Sequence, residues 1–196
     1  MSRNVKLTED LEFLLDLDAL KDVERRNPLA KNPRPERVAE HSWHLAVASL
    51  ILADDFDQRL DLGKAALLAI AHDVVERFVG DTFAFGSEVA GQSGREHRAM
   101  DALAQRTGSP GIKRLIGLWR EYEDQETPEA RFVKGLDALL PILLNYHNIE
   151  FSSWRAHDVS ADKVLARANN HGNMGEALRT VAVEMINDAQ ARGFLS

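Results

Sequence analysis

Apolar positions along this chain recur at spacings of three and four, with little alternation, which predicts helices and few strands. A first helix is expected over about Thr8–Arg25, opening on Thr8-Glu9-Asp10. The stretch from Arg26-Asn27-Pro28-Leu29 to Pro35 reads as a proline-punctuated loop. A second helix is expected over about Pro35–Phe56, where a first-turn proline loses no needed N–H. A third spans about Asp61–Arg77. Gly80–Gly94, loosened by Gly86, Gly91 and Ser93, reads as a long loop, a place where function often sits. Helices follow at about Arg95–Arg106, Pro110–Asp124, Pro128–Ile149, Ala161–Asn169 and Gly175–Arg192. The sum is an all-α domain of seven to eight helices over residues 1–196, without an evident linker.

Composition fits that picture: 196 residues, 44% apolar and 28% charged, can bury a sizeable core. The net charge of −7 argues against nucleic-acid or anionic-membrane partners, which want a basic surface. There is no cysteine, so any metal must use His, Asp and Glu. Met1–Asp10 lacks the apolar core of a signal peptide, and the longest apolar run, Ala65–Ala71, falls short of the ~20 residues of a membrane span. A soluble cytoplasmic protein is the expectation.

Three helices break their own apolar stripes. His41 sits among Val38, Leu45, Ala48 and Leu52. The third stripe, Leu62, Ala65 and Ala69, ends in His72 and Glu76, with Asp73 beside them. Asp137 lies among Ala130, Val133, Leu140 and Leu144, and Pro141 removes the N–H that its carbonyl would accept. A lone buried carboxylate is costly unless paired or metal-bound. Lys134, one turn away, is a possible partner for Asp137. Taken together, His41, His72, Asp73 and Asp137 form a two-nitrogen, two-oxygen set suited to a divalent transition ion, and less to Mg.

Glu36-Arg37-Val38-Ala39-Glu40-His41-Ser42, then Ala71-His72-Asp73-Val74-Val75-Glu76-Arg77-Phe78-Val79-Gly80-Asp81, then Asp137, resemble the HD-domain metal-dependent phosphohydrolases. The wording around the motif is similar to the 5′-deoxynucleotidase branch, from about Leu11 to Leu144. The resemblance implies a single HD-domain helical bundle and hydrolysis of nucleoside or deoxynucleoside 5′-monophosphates to nucleoside and phosphate. It implies one divalent ion per chain (Co, Mn, Ni, Fe, Zn or Mg) on His41, His72, Asp73 and Asp137, and a homodimer. It makes Glu76 the acid/base carboxylate and Asp81 a carboxylate contacting water and substrate, with Asp73 and Asp137 also near substrate. Arg26, fifteen residues before His41, takes the place of the family's phosphate arginine.

Asn27 stands where the bacterial nucleotidases carry a tryptophan associated with deoxyribose selection, and the loop after Gly80-Asp81 lacks their lysine. Two-metal relatives add two histidines between the His-Asp pair and the last aspartate, whereas only His97 lies there, so one ion is expected. His44 reads as a core or outer-layer residue, and His147, His157 and His171 as surface or packing residues. Trp43, Trp119 and Trp154 are assigned to the core. A di-iron oxygenase and a nucleotide-binding regulatory protein are the alternative readings.

Overall fold

The computed structural model describes residues 3–196, so Met1 and Ser2 of the N-terminal reading lie outside the described residues. Among the described residues the chain is helical apart from one hairpin, in keeping with the expected all-α class. Eight helices have ten or more residues: α1 (Arg3–Leu17), α2 (Val38–Ile51), α3 (Leu62–Ala71), α5 (Gln92–Arg106), α6 (Pro110–Asp124), α7 (Pro128–His147), α9 (Ala161–Asn170) and α10 (Glu176–Ala191). Two single turns, α4 (Glu76–Val79) and α8 (Ser153–Ala156), complete the set.

The expected loop at 26–35 is instead an antiparallel hairpin of β1 (Glu24–Leu29) and β2 (Asn32–Arg37), with Pro28 facing Pro35. The prolines explain it. Each pushes the residue before it into extended backbone, and a two-stranded ribbon consists only of edges, where a missing N–H is tolerated. The first helix therefore stops before β1, and Pro35 belongs to a strand rather than to the first turn of α2. α2 starts at Val38, where the Glu40 carboxylate turns back to accept from the Arg37 N–H at 3.1 Å. β1 alternates, turning Arg25 and Asn27 inward and Glu24 and Arg26 outward.

The third helix also ends earlier than its periodicity suggests. α3 stops at Ala71, the backbone turns through 72–75, and α4 closes on Gly80 at φ 75°. His72 and Asp73 thus sit at a helix end, where their side chains are free to face a neighbouring helix. The loop after Gly80 is shorter than expected, because a 3₁₀ turn forms at Ser87–Val89 and α5 begins at Gln92.

α7 is the central helix, buried nearly all round from Glu129 to Leu140, and it continues through Pro141. α2 and α3 pack on it through the small residues Ala46, Ala48, Ala65 and Ala69, with Leu45, Leu68 and Leu136 between them. α9 and α10 cover another side with Val164, Ala182 and Ile186. A second cluster, including Val75, Met100, Ile116 and Trp119, joins α4, α5 and α6, and Phe13 of α1 packs against it. Trp119 and Trp154 are buried as expected, but Trp43 is 67% exposed. It lies on the outward side of α2 with Leu50 and Ile51, while Leu67 and Ile70 are exposed on the adjoining α3.

One close backbone approach fixes the C-terminal helices. A Cβ on Gly135 of α7 would come within 2.6 Å of the Asn173 carbonyl carbon, and one on Gly172 within 2.7 Å of the Arg131 oxygen. Gly172 also has φ +74°, and the Asn173 N–H donates to the Arg131 carbonyl at 2.8 Å. Replacing Gly135 by Ala should cost about 2–3 kcal/mol, because backbone rather than a flexible side chain must yield. Urea unfolding of Gly135→Ala against the parent, read at the midpoint with unchanged slope, measures that loss.

Candidate active site

Four side chains that are distant in sequence meet where α2, the end of α3 and the middle of α7 cross. His41 Nε2 lies 3.0 Å from Asp137 Oδ1, and His72 Nε2 lies 3.0 Å from Asp73 Oδ2. The two remaining cross-distances, His41 Nε2 to Asp73 Oδ2 and His72 Nε2 to Asp137 Oδ1, are both 4.0 Å. The histidines are fully or almost fully buried, and the aspartates nearly so.

The hydrogen bonds around this set fit a cation. His72 Nδ1 donates to the Ala69 carbonyl at 2.7 Å, which leaves the Nε2 lone pair facing inward, and that atom is buried without a hydrogen-bond partner. Without a proton of its own, that nitrogen needs positive charge between it and the carboxylate oxygen 3.0 Å away. An ion bonded at about 2.0–2.2 Å places neighbouring ligand atoms about 3 Å apart, so the donors present suit a divalent ion. Behind His41, the buried Glu36 carboxylate stands 3.4 Å from Nδ1, the kind of outer carboxylate that orients a ligating imidazole. Burial and Arg25 would lower the His41 pKa, but Asp137 and Glu36 outweigh them and raise it to about 9. Burial would raise the Asp73 carboxyl, but His72, Arg25 and His41 outweigh it and hold it at about 2.

Glu76 is placed differently. Its Oε2 is buried without a partner, and burial together with Asp73 pushes its pKa well above the ordinary carboxylate value. The neighbouring Arg77 pairs with Asp16 instead. Asp81 is also raised, by burial first, and lies 3.9 Å from Arg25.

The two arginines of β1 face opposite ways. Strand alternation turns Arg26 out to the rim of the cavity and sends Arg25 inside. Arg25 Nη1 donates to Asp73 Oδ2 at 2.8 Å, and its Nη2 lies 3.7 Å from Asp137 Oδ1. Its basicity is raised, since the surrounding carboxylates outweigh its burial. Spacing to His41 cannot separate these two neighbours, because it carries no strand phase. Asn27 is buried and accepts from Asn145 Nδ2 at 3.0 Å.

Other residues enter that the motif did not include. Tyr122 donates to Asp137 Oδ2 at 3.2 Å. Arg167 and His171 stand 3.5 Å and 3.4 Å from that oxygen, so His171 is neither a surface nor a mere packing residue. Lys134 pairs with Glu123 at 2.7 Å, leaving Asp137 to these partners. His44 stays outside the set, stacked on Trp43. The cavity in front of the set, about 310 Å³, has an aromatic wall that includes Phe83, Phe85 and Trp154. His157 backs the wall, its ring tilted against Phe83 at a centroid distance of 4.5 Å.

A family model described as HD domain matches residues 17–178. The chain is 36% identical over 152 residues to the human (Homo sapiens) 5′-deoxynucleotidase HDDC2, covering 76% of this chain and 73% of that protein. It is 28% identical over 131 residues to the Schizosaccharomyces pombe 5′-deoxynucleotidase hdd1, covering 64% of this chain and 65% of that one. The crystal structure of a predicted metal-dependent phosphohydrolase from Magnetospirillum magnetotacticum superposes with a TM-score of 0.83 at 32% identity, covering 97% of this chain and 96% of that one.

The Glu76 environment gives a pH test. Its folded pKa lies above 4.5, so its contribution to stability is complete below that value and is lost as pH rises through the folded pKa. Glu76→Gln removes this loss. Chemical denaturation of the metal-free protein should show the variant gaining on the parent as pH is raised above 4.5.

Proposed function

The chain belongs to the HD-domain family, and on that premise we propose that it is a metal-dependent hydrolase of nucleoside or deoxynucleoside 5′-monophosphates. The observation that carries this reading is that His41 Nε2 and His72 Nε2 each stand 3.0–4.0 Å from Asp73 Oδ2 and Asp137 Oδ1, with His41, His72 and Asp73 offering ligand atoms within 4.8 Å of one another and His72 Nε2 buried without a hydrogen-bond partner. These four residues are assigned as the ligands of one divalent ion per chain. Such an ion supplies Lewis acidity to a phosphate oxygen and to a water.

The chain's own residues supply the rest. Arg25 offers a buried planar fork to the phosphate oxygens. Arg26 lies at the rim, where it attracts the dianion without being enclosed. Glu76, buried beside Asp73, holds a proton and is placed to give it to the leaving 5′-oxygen, after which it can take one from water. Asp81 lines the same cavity and contacts water and the sugar. The aromatic wall favours a substrate with a planar base over a bare sugar phosphate. Asn27, tied to Asn145, gives this pocket a polar side chain where a tryptophan stands in the resembling nucleotidases.

Residues 1–196 are proposed to work as one domain, since α9 reaches the Asp137 carboxylate. A homodimer is proposed through the outward sides of α2 and α3. No Asp, Glu, Lys or Arg lies on α2 between Glu40 and Asp54, and the exposed Trp43, Leu50, Ile51, Leu67 and Ile70 suit contact with a second such face. Cytoplasmic placement belongs to the same proposal; among the described residues no helix is long and apolar enough to cross a membrane.

A panel of nucleoside and sugar monophosphates, assayed for phosphate with Mn, Co, Mg, Ni and Zn in turn, tests the activity. Release from nucleoside 5′-monophosphates with one ion per chain is expected, and a loaded protein that releases none refutes it. Asp137→Ala should lose ion and activity together. Glu76→Gln should keep the ion and lose about 10²–10⁴-fold in kcat. Sedimentation should show a dimer that Trp43→Asp dissociates while phosphate release per chain persists.

A further inference from the structure

Asp137 is held from two sides. Its Oδ1 faces His41 Nε2 at 3.0 Å, while its Oδ2 accepts a hydrogen bond from the Tyr122 hydroxyl at 3.2 Å and has His171 Nε2 at 3.4 Å and Arg167 Nη2 at 3.5 Å beside it. They come from α6, α9 and the turn after α9, so no local sequence relation produces the convergence. We propose that Tyr122, Arg167 and His171 are positioning residues that occupy the outer oxygen of Asp137, so that its carboxylate presents Oδ1 alone to the ligand set. This rests on the reading of Asp137 as a metal ligand.

The physical case has three parts. A carboxylate with both oxygens free can rotate or chelate through both, which spends a coordination position that water or substrate needs. The Tyr122 hydrogen bond together with the Arg167 charge and the His171 ring beside the same oxygen occupies its outer side and restrains the plane of the group. The hold from outside matters more at this residue because Pro141 denies the Asp137 carbonyl its usual N–H, so the helix restrains that turn less. The Gly135–Gly172 contact seats the turn carrying His171 on α7 beside Asp137, which makes the C-terminal helices part of the site rather than a cover for it.

Calorimetric titration of Mn²⁺ or Co²⁺ into the metal-free full chain tests this. The double variant Arg167→Met/His171→Leu should bind the ion about 10–100-fold more weakly, the usual cost of losing outer partners. Tyr122→Phe, which removes a single hydroxyl and keeps the ring, should weaken binding by a smaller factor. His171→Gln, which retains an N–H donor, should bind close to the parent. The visible spectrum of the Co²⁺ form should shift in the double variant as Asp137 changes its mode of binding. Should the double variant or Tyr122→Phe lose only thermal stability, with parental affinity and an unchanged Co²⁺ spectrum, the residues merely pack and the proposal is overturned. A parent chain that binds one ion keeps the two readings separate. A parent that binds none removes the metal-site reading and this inference together.

Discussion

The structure is organised around a charge balance. Two imidazole nitrogens each face two carboxylate oxygens at 3.0–4.0 Å in the interior, where desolvation makes every unbalanced charge expensive. Three helices must come close for this to happen, and alanines on α2 and α3 at their contacts with α7 allow it. The same sites filled with leucine would form a better hydrophobic core and no site. Stability has been exchanged for a place where positive charge is wanted, and Arg25, inserted from β1, provides part of it.

Around that centre the environment sorts the carboxylates into different roles. Asp73 lies beside His72 and Arg25 and is held ionised to about pH 2. Glu76, three residues on, is buried beside Asp73 and is pushed upward. A pair of acids driven apart in this way is how one pocket holds a charge and a transferable proton at the same pH. The break between α3 and α4 makes the separation possible, because on a continuous helix the two would share more of their surroundings.

A second layer fixes the first. Glu36 stands behind His41, the Ala69 carbonyl sets the His72 tautomer, and Tyr122, Arg167 and His171 surround the outer oxygen of Asp137. These partners come from β2, α3, α6, α9 and the turn beyond it, so the whole bundle is tied into the orientation of four side chains. Close-packed glycine contacts such as Gly135 with Gly172 transmit that order, since backbone against backbone leaves little room to relax.

Much of this could be read from the chain. Polar residues interrupting apolar stripes at His41, His72 and Asp137 mark three helices that face a common point, because periodicity reports which side of a helix is inward. The helical class and most helix ranges follow from the same signal. Other features were decided only by tertiary contact. The hairpin at 24–37 came from prolines whose preference for extended backbone is realised only when two strands can pair. Arg25 was chosen over Arg26 by strand phase, which a count of residues does not contain. Trp43 lies outward although its type suggests the core, since the chain alone does not say which apolar face is left over once the bundle is full. Arg167 and His171 reach Asp137 from thirty and thirty-four residues away. Local spacing records what a residue's own helix does with it, and only the packed fold decides what comes to meet it from elsewhere.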